Sequence, residues 1–373
     1  MTRHLNIGYK LYTNSVLPGT QRAYSSAEKR WFVVANALGT DPCMRTIPRE
    51  WENRSDDLAR STITWPEACM VALIASFTQG PRPLAPRTTS SYMSGVKKYL
   101  ENQGVDTTFF GNSQYIKNTK RGIVQYYRAA NNRTAGDAKR IPITADMILE
   151  YYAHTVPDAP NIKQRALRVA QLTGFTLVAR VSEYLFTSKS NHWLMSNRIH
   201  FILDTGATVP AHEAHKHAHK RPTGMKLTVR SKKNDQEGKG YKYVFNSADT
   251  SDTYCYVSEM WEFAILARPR AKAPFFAVPA LQWTLKATHL ADHLKKMATY
   301  FGLDPRRVSS HSLRIGGAST LAAAGLTDNE IMRVGAWRST AFLTYLRQNV
   351  QLFEKARSAL ASSNALTIKD VPP

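Results

Sequence analysis

The sequence predicts a mainly α-helical protein of two domains, with a small antiparallel β-sheet in the second domain. Its 373 residues suffice for two domains with a core each, at about 150 residues per domain. Apolar residues recur every three or four positions over most of the chain, as they do in amphipathic helices. Residues typical of strands are concentrated between positions 198 and 245, which places the sheet there.

The first domain is expected to be a bundle of helices. Residues 1–20 are a predicted N-terminal extension, and residues 21–130 are the predicted helical domain. Amphipathic periodicity within this domain predicts four helices. They are Gln21–Leu38, Pro66–Phe77, Arg87–Glu101 and Tyr115–Tyr127.

The second domain is predicted over residues 141–373, after a linker over residues 131–140 in which small, polar and basic residues interrupt the periodicity. Two of its strands flank the segment SKKNDQEGKG, whose Asn, Asp and Gly residues favour a tight hairpin. The predicted elements are the helices Thr144–Ala153, Asn161–Gly174, Ala179–Leu185, Tyr254–Leu266 and Thr288–Phe301, and the strands Arg198–Leu203, Lys226–Arg230 and Tyr241–Phe245.

The chain carries a large excess of positive charge. It has 50 Lys and Arg residues against 28 Asp and Glu residues, a formal net charge of +22. Such an excess repels itself in a compact fold unless a polyanion neutralises it, so a phosphate backbone is the expected partner. A basic surface without a nucleic-acid partner is the alternative. The candidate phosphate-binding residues are Arg87, Lys97, Lys98, Lys120, Arg121 and Arg230.

Tyr92 and Tyr99 lie among the basic residues of the predicted helix Arg87–Glu101. Basic and aromatic residues together suit a helix that contacts a phosphate backbone. A solvated helix face is the alternative interpretation of the same residues.

Composition argues against membrane and disulfide-rich classes. No apolar run approaches the roughly 18–20 residues of a membrane span, and Met1–Lys10 lacks the apolar stretch of a signal peptide. We therefore expect a soluble, intracellular protein with no membrane partner. Cys43, Cys69 and Cys255 are far apart and form no CxxC pair, so reduced thiols are expected rather than a disulfide framework or a zinc site.

A histidine-rich segment, AHEAHKHAHK, lies in the predicted loop between the first two strands. Histidines at such short spacing could bind a transition metal. Because lysines are interleaved with them, a solvated or phosphate-contacting loop is favoured, and no metal site is predicted. The residues concerned are His212, His215, His217 and His219, with Lys216 and Lys220.

The segment HSLR suggests an oxyanion site. Ser309 or Ser310 can cap a helix, which would place His311 and Arg314 on one face of its first turn. Free N–H groups at a helix N-terminus, joined by an imidazole and a guanidinium, suit a phosphate. The alternative is a buried helix-start histidine beside a surface arginine.

Further residues could complete such a site. Arg180 supplies a second guanidinium, which Glu183 can orient across one helical turn. Trp337 offers a fixed indole donor, and Tyr345, in the predicted helix Thr340–Arg347, offers a phenol that can attack phosphorus. The hairpin adds two lysines. Each residue alone has a commoner interpretation, because aromatic residues at helical spacing usually fill cores and hairpin lysines are usually solvated. The lysines are Lys232 and Lys233.

In this order the residues Arg, Lys, His-x-x-Arg, Trp and Tyr resemble the tyrosine recombinases, metal-free enzymes that break and rejoin DNA and include phage integrases and the Cre and Xer recombinases. The resemblance covers about half of the chain, residues 171–350. The step from Trp337 to Tyr345 is similar to the GxW(x)7Y pattern of recombinases from eukaryotic mobile elements. The segments that carry it are ARVSEYL, VRSKKNDQEGKG, HSLRIGGAST and GAWRSTAFLTYLR.

The resemblance implies a function and a role for each residue. Tyr345 would attack the scissile phosphate and become joined to the DNA 3′ end, while Arg180 and Arg314 stabilise the charged transition state. His311 and Trp337 would donate further hydrogen bonds. Lys233, or alternatively Lys232, would protonate the departing 5′ oxygen. No metal, ATP or other cofactor is implied.

The resemblance also implies partners and architecture. A helical core-binding domain and a catalytic domain would form a clamp around double-stranded DNA, and protomers would associate on DNA, as a tetramer. Two other functions stay open. A catalytically inactive relative would bind DNA through STLAAAGLTDNEIMRVGAW, which has the pattern of a helix-turn-helix. A type IB topoisomerase would use nearly the same chemistry to relax DNA.

Overall fold

The structure is a computed structural model that divides into two compact units, Met1–Ala138 and Lys139–Pro373. Most of the predicted extension and linker lies outside the residues that it describes. No helix of the described residues is both long and apolar enough to cross a membrane. The structure describes residues 18–53, 62–79, 84–130, 140–155, 161–187, 193–230, 240–247, 255–337, 339–344 and 346.

The N-terminal unit is helical, as the periodicity predicts. Each of the four predicted helices corresponds to a helix of the structure, with ends shifted by up to three residues, and two one-turn helices are added. Trp31, Met70 and Val96 are fully buried in the core that these helices enclose. The helices are α1 (Pro18–Ala37), α2 (Arg49–Glu52), α3 (Trp65–Ser76), α4 (Pro86–Asn102), α5 (Phe109–Asn112) and α6 (Gln114–Ala130).

The C-terminal unit combines helices with a small antiparallel sheet, which confirms the predicted fold class. Its helices are α7 (Ala145–Thr155), α8 (Ile162–Thr176), α9 (Val181–Tyr184), α10 (Tyr256–Ala267), α11 (Ala287–Tyr300), α12 (Ser310–Ala323) and α13 (Asp328–Gly335). Its strands are β1 (Ile199–Leu203), β2 (Thr208–Pro210), β3 (Pro222–Val229), β4 (Tyr241–Asn246), β5 (Ala277–Val278) and β6 (Trp283–Thr284).

The main sheet has the strand order β2-β1-β3-β4, with every pair antiparallel. Phe201 pairs with Met225, and Leu227 pairs with Tyr243. Because side chains alternate across a strand, Phe201, Met225 and Leu227 lie on the inner face, where all three are buried in the core. The β3–β4 pairing ends at Val229 and Tyr241, at the base of the predicted hairpin.

The histidine-rich segment is not the loop that the sequence predicts. Strand β2 precedes it, and residues Ala211–His217 form a 3₁₀ helix. In a 3₁₀ helix side chains three residues apart are eclipsed. Ala211 and Ala214 are therefore on one face, and both are fully buried. The surrounding histidines hide this short apolar face in the sequence, so a loop was predicted where burial of the two alanines favours a helix.

Helix α12 packs directly on backbone, and this contact positions its first turn. The Ile143 N–H donates to the Ser312 carbonyl at 3.0 Å, and the Ile141 N–H donates to the Arg307 carbonyl at 2.9 Å. A Cβ at Gly316 would lie 1.8 Å from the Ile143 carbonyl oxygen. Only glycine permits so close an approach.

A buried polar cluster links three helices of this unit. Gln171 Nε2 donates to the Tyr152 hydroxyl at 3.0 Å, and that hydroxyl lies 3.1 Å from His293 Nε2. Burial, together with the charge of Lys296, lowers the pKa of His293 to about 4. The imidazole is therefore neutral at pH 7 and can accept the phenol proton.

Stability is expected to fall in mild acid because of His293. An unfolded histidine has a pKa near 6.5, so below that pH the unfolded chain binds a proton that the folded chain does not. The free energy of unfolding in urea should fall by about 2 kcal/mol between pH 7.5 and pH 5 on this account. His293→Gln should weaken this dependence, whereas His154→Gln, at an exposed position of α7, should not. Equal pH dependence in wild type and His293→Gln would contradict the assignment.

Candidate active site

The first turn of α12 is fixed by a serine cap. Ser309 is the N-cap, and its hydroxyl accepts from the His311 N–H at 3.3 Å. The Ser309 N–H donates to the Ser312 hydroxyl at 3.1 Å. This capping box satisfies N–H groups that a helix start otherwise leaves unpaired. It places His311, which is half-buried, and Arg314 in the first turns of the helix.

Arg314 is fully buried and not, as the alternative interpretation had it, a surface residue. Its Nη1 donates to the Val178 carbonyl, and its Nη2 donates to the Gly335 carbonyl at 3.1 Å. The indole of Trp337 covers the guanidinium, with 4.1 Å between the Arg314 Cζ and the ring centroid. One buried charge thus holds together the segments that contain Val178, Gly335 and Trp337.

Arg180 is held by Glu183. Arg180 is the extended N-cap of the one-turn helix α9, and its N–H donates to Glu183 Oε2 at 3.0 Å. Its Nη1 donates to Glu183 Oε1 at 2.9 Å. The Glu183 side chain is 3% exposed and that of Arg180 is 24% exposed. The carboxylate is buried behind the arginine, so the guanidinium keeps one side open to solvent while its direction is fixed.

Arg314 contacts the turn of the chain that precedes Arg180. Val178, whose carbonyl binds Arg314, lies two residues before Arg180. Its φ of 46° is unusual for a β-branched residue. The turn is closed by the Ala179 N–H, which donates to the Gly174 carbonyl at 3.1 Å. Sequence reasoning missed Val178, because an apolar residue in a helix–loop junction carries no signal of this role.

Gly335 is the second residue that sequence reasoning missed. A Cβ at Gly335 would lie 1.8 Å from Cζ3 of Trp337, so the indole packs directly on its backbone. Ala336 has a φ of 48°, and the Trp337 N–H donates back to the Met332 carbonyl at 2.9 Å. The glycine two positions before the tryptophan in GAW was the sequence signal that could have indicated this close contact.

The segment after Trp337 differs from the prediction. Instead of the α-helix Thr340–Arg347, the structure has a 3₁₀ helix over Thr340–Thr344, and Leu346 lies outside regular structure. Phe342 is fully buried, with its ring centroid 5.6 Å from that of Trp337. Packing of this phenylalanine on the indole, rather than helical periodicity, determines the local conformation. Tyr345 lies outside the described residues.

The predicted hairpin SKKNDQEGKG is described only at its base, and its lysines Lys232 and Lys233 lie outside the described residues. Arg230, at the end of β3, is exposed. On β4 the Tyr243 hydroxyl donates to the Val334 carbonyl in α13 at 3.1 Å. A cavity of about 650 Å³ lies between the start of β4 and α13. It is lined by Tyr241, Asn329, Met332, Arg333, Ala336 and Trp337.

Solved structures of DNA-bound recombinases are similar to this chain. The XerH site-specific recombinase, bound to palindromic difH substrate after cleavage, is 13% identical, with coverage of 81% of this chain and 72% of the XerH chain and a TM-score of 0.50. The Tn1549 transposon integrase, in complex with transposon right end DNA, is 11% identical, with coverage of 97% and 99% and a TM-score of 0.50. The chain has the fold of the tyrosine recombinases. At these identities the likeness concerns the fold alone, and neither the protein-family models nor the curated protein sequences match the chain.

Within this tyrosine recombinase fold, two of the segments that contain candidates for catalysis are tied to Arg314. Trp337 covers it, and the turn that contains Arg180 and Glu183 binds it through Val178. The part of the chain that the structure describes contains no group of three or more His, Cys, Asp or Glu side chains arranged to hold a metal ion. Among the described residues, Arg180 and Arg314 are positive hydrogen-bond donors whose directions are fixed by their partners.

The predicted phosphate-binding residues of the N-terminal unit have mixed surroundings. Arg87 and Arg121 are exposed. The Nζ atoms of Lys97 and Lys98 lie 3.7 and 3.9 Å from carboxylate oxygens of Glu101. Burial lowers the pKa of Lys120. The interleaved tyrosines are partly buried against the core of this unit. The ring centroid of Tyr92 is 5.4 Å from that of Phe77, and the ring centroid of Tyr99 is 5.2 Å from that of Phe32, which is exposed.

Gly335→Ala is expected to destabilise the C-terminal unit, because the new methyl group must displace the Trp337 ring from Arg314. Overpacking of this kind lowers the free energy of unfolding by about 1–3 kcal/mol, measurable by urea denaturation. Gly122→Ala is the control: a Cβ there meets no heavy atom within 4 Å, and the exchange should raise stability by up to about 1 kcal/mol. Equal stability of the two variants would refute the packing argument.

Proposed function

We propose that the protein is a site-specific DNA recombinase or integrase that cleaves and rejoins DNA through a covalent 3′-phosphotyrosyl intermediate, in the service of a mobile element. The observation that carries this proposal is the contact between Arg314 and the turn that immediately precedes Arg180, a residue distant from it in sequence. Arg314 binds the carbonyl of Val178, two residues before Arg180. A phosphodiester is anionic, so an attacking phenolate is repelled unless fixed positive donors surround the phosphorus.

The two arginines differ in access to a phosphate. The Arg180 guanidinium is partly open to solvent and held in direction by Glu183. Arg314 is closed off by Trp337, so direct contact between its guanidinium and a phosphate requires the indole to move aside. We assign the phosphate's non-bridging oxygens to these two arginines and further hydrogen bonds to His311 and Trp337.

The proposed reaction balances without a cofactor. The Tyr345 phenol loses its proton, with His311 as the acceptor, and the phenolate oxygen forms a bond to phosphorus. The bond from phosphorus to the 5′ oxygen breaks, and Lys233, or Lys232, protonates that oxygen. The 5′ hydroxyl of a second strand reverses these steps. Exchange between duplexes requires several active sites at once, so we propose self-association on DNA, as a tetramer.

Tyr345→Phe is expected to abolish covalent DNA attachment and to leave DNA binding unchanged, because it removes only the attacking oxygen. The assay uses nicked duplexes with a randomised central segment, so that the target sequence need not be known. Adducts are counted on denaturing gels. Sequencing of the attached DNA identifies the cleaved sites, and mapping of the modified peptide identifies the nucleophile. An adduct formed by Tyr345→Phe would show that the nucleophile is wrongly assigned.

The same assay separates the rival functions. Good binding without an adduct in the wild-type protein would favour a DNA reader that has lost catalysis. Adducts without sequence preference, together with relaxation of supercoiled DNA by a monomer, would favour a type IB topoisomerase. Adducts enriched in one sequence, formed by an assembly of several protomers, support the recombinase.

Arg180→Ala is expected to lower the cleavage rate by about 10²–10³-fold, since removal of one preorganised donor to a transition-state oxyanion has this effect. Single-turnover adduct formation is the measurement. Arg270→Ala, which removes an exposed arginine of the same unit, should change the rate by less than about threefold. Arg180 is a cleaner test than Arg314, because loss of a buried charge with several partners also affects folding. Similar rates for the two variants would exclude Arg180 from the reaction.

A further inference from the structure

The C-terminus of α13 is closed by four hydrogen bonds, two of which come from the backbone. The last four carbonyls of an α-helix have no N–H partner within the helix. In α13 the first of them, that of Met332, accepts from the Trp337 N–H at 2.9 Å, and the second, that of Arg333, accepts from the Ala336 N–H at 3.2 Å. The chain that follows the helix thus supplies two of the four donors.

Two side chains distant in sequence supply the other two donors. The Tyr243 hydroxyl, on β4, donates to the Val334 carbonyl at 3.1 Å. Arg314 Nη2 donates to the Gly335 carbonyl, also at 3.1 Å. The phenol and the guanidinium therefore bind consecutive carbonyls of one helix end, and each of the two donors has an acceptor of its own.

The main sheet holds the phenol in place independently of α13. Tyr243 pairs with Leu227 within the β3–β4 ladder, and its ring is stacked on Phe245, with centroids 6.2 Å apart and planes inclined by 8°. Burial raises the pKa of the phenol well above its ordinary value; the Glu183 carboxylate raises the pKa further and Arg314 opposes this. The hydroxyl keeps its proton at neutral pH, so it donates throughout.

Loss of this phenol would leave two acceptors for one guanidinium. Carbonyls at a helix C-terminus carry partial negative charge, and a partly buried acceptor that loses its donor is costly. Arg314 already binds the neighbouring carbonyl, so a shift of its Nη2 from Gly335 toward Val334 would compensate the loss. That shift would also turn the guanidinium beneath the Trp337 ring, whose centroid lies 4.1 Å from the Arg314 Cζ.

We infer that Tyr243 is a positioning residue for Arg314: by occupying the Val334 carbonyl it leaves Gly335 as the acceptor for the guanidinium, and so fixes the direction in which that charge meets a phosphate oxygen. The inference rests on the proposed function, in which Arg314 stabilises the transition state. Tyr243 touches no reacting atom in this account; it acts through Arg314 alone.

The test uses the charge of the scissile phosphate, in duplexes built on a cleaved sequence that the adduct assay identifies. In a methylphosphonate linkage a methyl group replaces one non-bridging oxygen, so the linkage is neutral and its transition state carries one negative charge fewer. The bond that the attacking phenolate forms to phosphorus, and the bond to the 5′ oxygen that breaks, are the same in both substrates. A correctly directed guanidinium therefore matters more for the phosphodiester than for the methylphosphonate.

Tyr243→Phe is expected to cleave the phosphodiester about tenfold more slowly than wild type, a smaller loss than removal of a donor causes, because Arg314 is misdirected and not removed. On the methylphosphonate it should be within about twofold of wild type. Arg180→Ala, measured in parallel, shows how strongly the substrate pair responds to loss of a positive donor. Tyr152→Phe is the matched control: it removes a buried phenol of the same unit, which accepts from Gln171 Nε2 at 3.0 Å, and it should change both rates by the same factor.

Each outcome decides the inference. A selective defect on the phosphodiester supports it, and normal cleavage of the methylphosphonate also shows that the variant is folded. Equal losses on both substrates overturn it and assign Tyr243 to general packing of the unit. An unchanged rate on the phosphodiester overturns it as well. If wild type forms no adduct with any sequence, the proposed function fails and the inference with it, a result distinct from an active wild type with equal losses in the variant.

Discussion

The buried guanidinium of Arg314 is the constraint on which the candidate site depends. Transfer of a charge from water into a protein interior costs several kcal/mol unless partners compensate it. Here the carbonyls of Val178 and Gly335 supply those partners, and the face of Trp337 supplies an aromatic surface of negative potential. These contacts tie α12 to a turn in the preceding chain and to the segment after α13. The same charge that suits a phosphate therefore also holds the site together.

Backbone conformations around this charge are unusual for the residues that adopt them. Val178 and Ala336 have φ values of 46° and 48°, a region in which residues other than glycine carry a cost of about 1–3 kcal/mol. Both lie beside a partner of Arg314: Val178 is itself the acceptor, and Ala336 follows Gly335. The hydrogen bonds to the guanidinium stabilise these conformations. In turn, the conformations aim the carbonyls at Arg314, so charge and backbone stabilise each other.

Sequence periodicity predicted the longer helices and three strands of the main sheet because each buries one face, and the pattern of apolar residues records that face. It failed where burial is confined to a few positions, as at Ala211 and Ala214 in the 3₁₀ helix and at Phe342 after Trp337. Motif spacing identified Arg180 and Arg314 as candidates, but not the partners that join them. Val178 acts through its carbonyl, which its side-chain type does not reveal. Tyr243 contacts Val334 across the fold, a contact that the predicted strand Tyr241–Phe245 does not reveal.

The different exposure of the two arginines has an electrostatic consequence. Arg314 is shielded from water, so its field is weakened by solvent less than that of an exposed charge. Arg180 is partly solvated and paired with a buried carboxylate, which fixes its direction and offsets part of its charge. Under the proposed function, a phosphate would approach Arg180 from this open side. Under the proposed function, displacement of the Trp337 ring by a phosphate would place an anion beside a guanidinium that two carbonyls already hold in place, so the guanidinium itself would reorganise little.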